Sequence, residues 1–228
     1  MIIFELTNSE ADPAYQQLAV ENLDRQYSFL QSIVEASLAL KRPMLSIEVI
    51  KALNYHAIAC LHVSAGEFRP GPVTVGSYIP PAHYQVPALM QMFTNEVNRF
   101  WTALNPIDLA TVVLWKLNHI HPFVNGNGRT ARVICYYVLC LSAGGWLPGS
   151  VTLPERIRMR RPDYVLALQA ADASNGADLS QLHGLLSELL DEQLRDAAAE
   201  AAAVEAAAAE AAEAAAEPEA AAPQLDAP

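Results

Sequence analysis

Residues 118–132 read NHIHPFVNGNGRTAR, and here residue type and spacing could do chemistry. Gly126 and Gly128 flank Asn127 just before an apolar run. Glycines permit positive φ and close approach of a ligand to the main chain. Successive amide N–H groups in such a turn can form an anion nest, and a helix N-terminus adds unpaired donors and partial positive charge. Arg129 and Arg132 open the following helix and project to a common side. Guanidinium groups disfavour a helix N-terminus unless an anion sits over them. A phosphate chain suits two forks and a nest better than a single carboxylate, which cannot accept from so many donors. His121, held by Pro122 and anchored by Phe123, stands beside the turn as a general base for a hydroxyl nucleophile. The competing reading makes His121 a cap and the glycines a plain turn. His119 reads as a lone polar residue at a helix end.

Other chemistries fit poorly. GNGR lacks the GxxxxGK[ST] pattern and the preceding strand of a P-loop. His119 and His121 have no neighbouring Cys or His to complete a zinc site. Cys60, Cys135 and Cys140 form no CxxC pair, which argues against a disulfide scaffold; Cys135 and Cys140 read as buried thiols. The 228-residue chain carries a net charge of −11, but residues 191–228 hold ten acids against one Arg. The body is near neutral, so no basic face for nucleic acid or anionic membrane is expected. Neither a signal peptide nor a membrane-spanning run is evident, and a reducing, cytoplasmic setting is the expectation.

The elements that must position the turn are helical. Asp12-Pro13 starts a first long helix with an apolar series Val20, Leu23, Tyr27, Leu30, Val34 and Leu38, ending at Lys41-Arg42-Pro43. Ser46 caps a helix expected over 47–62, Pro87 opens one to about Leu104, and Asn105-Pro106 one to about His119. Arg129–Ser142 is apolar on nearly all sides, as a buried central helix would be, and Gly144-Gly145 stops it. Between these lies SAGEFRPGPVTVGSYIPP, read as a small β-hairpin pairing Glu67–Arg69 with Val73–Val75. Further helices are expected near 162–173 and from about 178. Ala197–Glu217 is Ala/Glu-rich and can extend the last helix as a solvated tail, with Pro218 and Pro223 ending it. The expected class is all-α with one minor hairpin.

HPFVNGNGRTAR resembles the signature of the Fic (Fido) family, HPFx(D/E)GNGRxxR. His121, Pro122, Phe123, Gly126, Asn127, Gly128, Arg129 and Arg132 match it. AGEFR and VTVGSYIPP resemble that family's flap hairpin. The resemblance spans roughly residues 30–190, which divides the chain into an N-terminal segment 1–30 with the start of the first long helix, a Fic-like domain 31–190 and an acidic tail 191–228.

The resemblance implies a protein adenylyltransferase that moves AMP from ATP, with Mg²⁺, to a Ser, Thr or Tyr hydroxyl of a target protein. His121 would deprotonate the hydroxyl. Gly126, Asn127 and Gly128 would form the anion hole, Arg129 would bind the leaving phosphates, and Arg132 would hold the γ-phosphate end. The flap would pin the target. The implied partners are a protein target and a nucleotide, without nucleic acid or membrane; a homo-oligomer stays open. Asn125 stands where the family has its metal-binding acid and offers only a neutral carbonyl, a weak ligand for a hard cation. This leaves open a weakened nucleotide-binding or interaction module, or a transferase of another phosphate-linked group. The family's inhibitory (S/T)xxxE(G/N) pattern is absent; the nearest approximation makes Glu35 the inhibitory residue facing Arg132. Arg156, Arg158, Arg160 and Arg161 read as a solvated basic loop, and Tyr164 resembles an aromatic near the nucleotide base.

Overall fold

The computed structural model describes residues 2–216, and over these the protein is all-α. The helices are α1 (Ile3–Thr7), α2 (Pro13–Ala39), α3 (Ile47–Ile58), α4 (Val86–Phe100), α5 (Pro106–Ile120), α6 (Asn127–Ala143), α7 (Leu153–Met159), α8 (Arg161–Ala173) and α9 (Ser180–Ala216). Their starts follow local rules. The Asp12 carboxylate accepts the Ala14 N–H at 2.8 Å, Ser46 accepts from Val49 at 3.2 Å, and Asn105 accepts from Ile107 at 3.1 Å. α6 stops at Gly144, whose φ of 77° lets the Gly145 N–H return to the Cys140 carbonyl at 3.0 Å. Every residue from Val133 to Leu141 is buried, because α2, α3, α5 and α7 all pack around α6. Burial pushes the Cys140 thiol up to about 11, and that of Cys135 higher, so both are inert apolar fillers.

Several expectations change in the folded chain. The buried stripe of α2 is Tyr15, Asn22, Gln26, Leu30 and Val34, while Val20 is exposed. Asn22 and Gln26 lie inside because their side-chain amides donate to the Ala59 and Leu53 carbonyls, each at 2.9 Å. α3 ends at Ile58 and not near 62. There the carbonyls of Cys60 and Leu61 accept the Ile3 and Phe4 N–H groups of α1, at 2.9 and 3.1 Å.

The hairpin shrinks to one bridged pair, Val75 with Tyr78, across the turn Gly76-Ser77, where Gly76 has φ 60°. Phe68 instead bridges Phe123, and the Arg69 N–H donates to the Pro122 carbonyl at 2.9 Å. Packing of the Phe68 and Phe123 rings, 5.8 Å apart, favours this partner over Val73–Val75. We call residues 73–81 the flap.

Of the basic segment, Arg156 and Arg158 lie in α7 and Arg161 opens α8, with Arg160 in the turn between them. The divisions at 30/31 and 190/191 fall inside α2 and α9. α9 runs into the Ala/Glu segment as far as Ala216, exposed over residues 198–212; Pro218 and Pro223 lie outside the described residues.

Candidate active site

α5 ends in a left-handed residue, and that residue is His121, with φ 51° and its N–H on the Leu117 carbonyl at 3.1 Å. A non-glycine residue in this region is uncommon and strained. Two contacts hold it. Its Nδ1 lies 3.4 Å from the Asn118 carbonyl, which sets the protonated nitrogen at Nδ1 and leaves Nε2 as the acceptor. Its own carbonyl accepts from Arg69 Nε at 2.8 Å. Burial lowers the His121 pKa below the usual imidazole value; the Asn118 contact opposes this and the Arg69 charge adds to it. The ring is therefore a neutral base at neutral pH. It lines a cavity of about 520 Å³ with Asn118, flap residues Val75 to Tyr78, and the α8 face from Arg161 to Ala173.

Arg69, which no motif marks, is a second anchor of this region. It is 3% exposed and also donates to the Gly71 carbonyl at 3.1 Å and the Pro81 carbonyl at 2.5 Å. One guanidinium thus ties the base of the flap to the backbone that carries His121. Arg69 lies in the AGEFR segment, but its sequence neighbours do not fix what it meets.

The glycine-flanked turn is built by amides. Asn127 accepts from the Phe123 N–H and donates to the Phe123 carbonyl, both at 2.9 Å, and is 4% exposed. Its side chain therefore closes the turn and leaves its main-chain N–H for an anion. Asn127→Ala should cost about 1–3 kcal/mol of stability, read from the urea midpoint at unchanged slope. Asn54 of α3, also unforeseen, donates to the Asn125 carbonyl at 3.0 Å and to Thr130 Oγ1 at 3.2 Å, and accepts the Gly66 N–H at 3.0 Å.

Arg129 and Arg132 are brought together, as the spacing predicts, but on the wall of a second cavity of about 20 Å³. That volume holds about one water. α2 roofs it through Leu23, Gln26 and Tyr27. Arg129 donates to the Ala57 carbonyl at 2.9 Å and lies 3.4 Å from Asn125 Oδ1. Burial pulls the Arg132 pKa down and Tyr164 and Tyr27 oppose it; it stays a cation. Gln26 Oε1, buried in the roof, has no hydrogen-bond partner among the described residues.

Glu35 does not face this pair. It is exposed and accepts from Gln31 at 3.2 Å. Eight residues separate it from Tyr27, about 12 Å along the helix; the inhibitory expectation is corrected by that rise. Tyr164 is buried, with its hydroxyl on the Asn118 amide at 2.8 Å, and is absent from the cavity wall. Arg156, Arg158 and Arg160 pair with acids of α7, α8 and α9, while Arg161 lines the His121 cavity.

Asn125 does not fit a divalent cation. Its Oδ1 already accepts the Gly126 N–H at 2.5 Å and lies near the Arg129 cation. Its Nδ2 donates to Glu10 Oε1 at 2.7 Å and lies 2.9 Å from His62 Nε2. Among the described residues no group of three His, Cys, Asp or Glu side chains could hold a metal ion, and no helix is long and apolar enough to cross a membrane.

A family model described as Fic/DOC family matches residues 44–139. Proteins named protein adenylyltransferase Fic from Drosophila willistoni and Drosophila melanogaster are 35% and 36% identical over 131 residues, 56% of this chain. The chain spans about a quarter (25%) of their length. Among solved structures, Fic-1 from C. elegans superposes with a TM-score of 0.65 at 23% identity, covering 80% of this chain and 51% of that one. A Fic family protein from Desulfovibrio desulfuricans gives 0.58 at 19% identity, covering 86% and 72%. These two show a shared fold.

Proposed function

We propose that this chain, whose residues 44–139 match the Fic/DOC family model, transfers AMP from ATP to a Ser, Thr or Tyr hydroxyl of a target protein. One observation carries the reading: the neutral His121 imidazole lines a cavity under the flap, at the start of the segment leading to the glycine-flanked N-terminus of α6. The target oxygen bonds to the α-phosphorus, the bond from that phosphorus to the bridging oxygen breaks, and pyrophosphate leaves. His121 Nε2 takes the hydroxyl proton. The main-chain N–H groups of the turn stabilise the charge on the phosphoryl oxygens, and Arg129 and Arg132 receive the leaving phosphates once α2 makes room. No step runs through a protein-held cation. Mass spectrometry of the protein with ATP and a host lysate tests this, by a gain of one AMP on a target or on the chain itself. A gain of a different mass would assign another phosphate-linked group.

A second reading, nucleotide binding without transfer, is favoured by the donor set of Asn125. Asn125→Asp alone would put two carboxylates in hydrogen-bond contact, at the 2.7 Å now bridged by the Asn125 amide, and like charges there hold one carboxyl protonated. Asn125→Asp with Glu10→Gln removes that conflict. The double variant should bind Mn²⁺ about tenfold more tightly than the single one by electron paramagnetic resonance, and transfer AMP faster. Equal Mn²⁺ affinity in the two variants would remove Glu10 from the account.

A further inference from the structure

His119 is more than a polar helix end. Its Nδ1 lies 2.9 Å from the Tyr78 hydroxyl of the flap and 3.1 Å from Asp172 Oδ1 of α8. The same Tyr78 hydroxyl donates to the His119 carbonyl at 2.8 Å. Asp172 Oδ1 also accepts from Trp115 Nε1 at 3.0 Å. One arrangement of protons satisfies all four contacts. A bare Nδ1 would set a lone pair against the Asp172 carboxylate, so Nδ1 carries its proton and shares it between Asp172 and the Tyr78 oxygen. The Tyr78 proton then goes to the His119 carbonyl, one of the last four of α5 and so without a helical partner. Burial, and next the Asp172 charge, raise the Tyr78 pKa well above the usual phenol value, which keeps this proton in place.

The rings are fixed as well. The Trp115 and His119 centroids are 4.9 Å apart. Gly176, with φ +77°, closes over the indole so tightly that a Cβ there would lie 2.1 Å from Trp115 Cη2. The flap itself has little other purchase. Of residues 74–79 only Tyr78 is not exposed, and Ile79 is 77% exposed. Arg69 fastens the base of the flap, and Tyr78 alone fastens its tip.

We propose that His119 and Asp172, with Trp115 behind them, form a clasp that holds Tyr78 and so fixes the flap over the His121 cavity, making His119 and Asp172 positioning residues for the target segment. His119 suits this task because it sits two residues before His121 on the same helix end. The flap is registered directly against the reacting imidazole, with no intervening element to let them drift. The target-positioning part rests on the proposed AMP transfer; the clasp itself does not.

The test uses the full chain and reads exchange of the Val75 and Tyr78 amides, which bond each other's carbonyls at 3.0 Å across the flap turn. Tyr78→Phe and His119→Phe each keep a ring; the first removes both bonds of the hydroxyl, the second only the one to Nδ1, leaving that to the main-chain carbonyl of residue 119. His119→Phe should speed exchange at both amides about tenfold, as expected for losing one such bond, and Tyr78→Phe by more, while α6 amides exchange at the wild-type rate. The double variant should exchange no faster than Tyr78→Phe alone. Asp172→Asn, which keeps the acceptor oxygen, should restore most of the protection lost in Asp172→Ala. With AMP transfer in hand, the variants should raise KM for the target and leave ATP binding by calorimetry unchanged. Wild-type exchange in Tyr78→Phe, or additive effects in the double variant, would overturn the clasp. Faster flap exchange in a chain that never transfers AMP would support the clasp and remove only the proposed reaction.

Discussion

His121→Ala is expected to lower AMP transfer by about 10²–10⁴-fold, the usual contribution of a positioned general base, with nucleotide still bound. The nest and the two guanidinium groups lie outside this side chain, and the backbone that carries it is tied down through the Arg69 contact to its carbonyl. The same imidazole sets the pH profile. Burial lowers its pKa below the usual 6.5, so the base form dominates at pH 7. Activity should stay level through neutral pH and fall only below the ordinary imidazole range. The sign for stability is the same. Below 6.5 the unfolded chain takes up a proton that the folded chain refuses, so the contribution of this group is lost as pH falls toward the folded value. Replacement by Ala should remove the activity step and leave the residual rate flat with acid. Wild-type transfer in the Ala variant would end the assignment of the base.

Gly126→Ala should cost about 3–5 kcal/mol of stability and abolish nucleotide binding by calorimetry. Three effects add. A φ of 77° is left-handed and costs a Cβ-bearing residue about 1–2 kcal/mol. The new Cβ would meet Asn54 Nδ2 at 2.9 Å and Ile58 Cγ2 at 3.0 Å, and forced overpacking costs about 1–3 kcal/mol. Displacing the fully buried Asn54 amide then breaks its bonds to the Asn125 carbonyl and Thr130. At about 2–4 °C per kcal/mol for a chain of this size, the melting midpoint should fall by about 10 °C. A fall under about 2 °C would mean that the turn relaxes and that its shape is not set by α3. His121→Ala and Gly126→Ala also separate cleanly: the first removes chemistry from an intact turn, the second removes the turn.

Much of this arrangement is legible in particular residues. Asp12, Ser46 and Asn105 announce helix starts because an N-cap is a local hydrogen bond. The run after Gly128 announces a buried helix because no face of it offers polar groups to water. The flap shows the limit. Its two apolar pairs look alike in sequence, yet Phe68 pairs with Phe123, more than fifty positions away, and Val75 is left with Tyr78 alone. Strand partners are chosen by what packs behind them, and that is a long-range matter.

Sequence by itself determined the glycine-flanked turn: which residues are glycine, where positive φ is permitted, where a buried helix begins, and that an imidazole and two guanidinium groups lie within one short stretch. Tertiary structure decided what each of these meets. Periodicity assigns residues to a common face of α2 but not the height at which that face crosses α6, so Gln26 and Tyr27, and not Glu35, cover Arg132. It likewise turned the Asn127 amide inward, set Glu10 against Asn125, and made His119 the partner of Tyr78. The physical reason is common to all of these. Backbone preferences act over a few residues, whereas a side chain's partner is fixed only when separate helices dock and every buried polar group must find a bond.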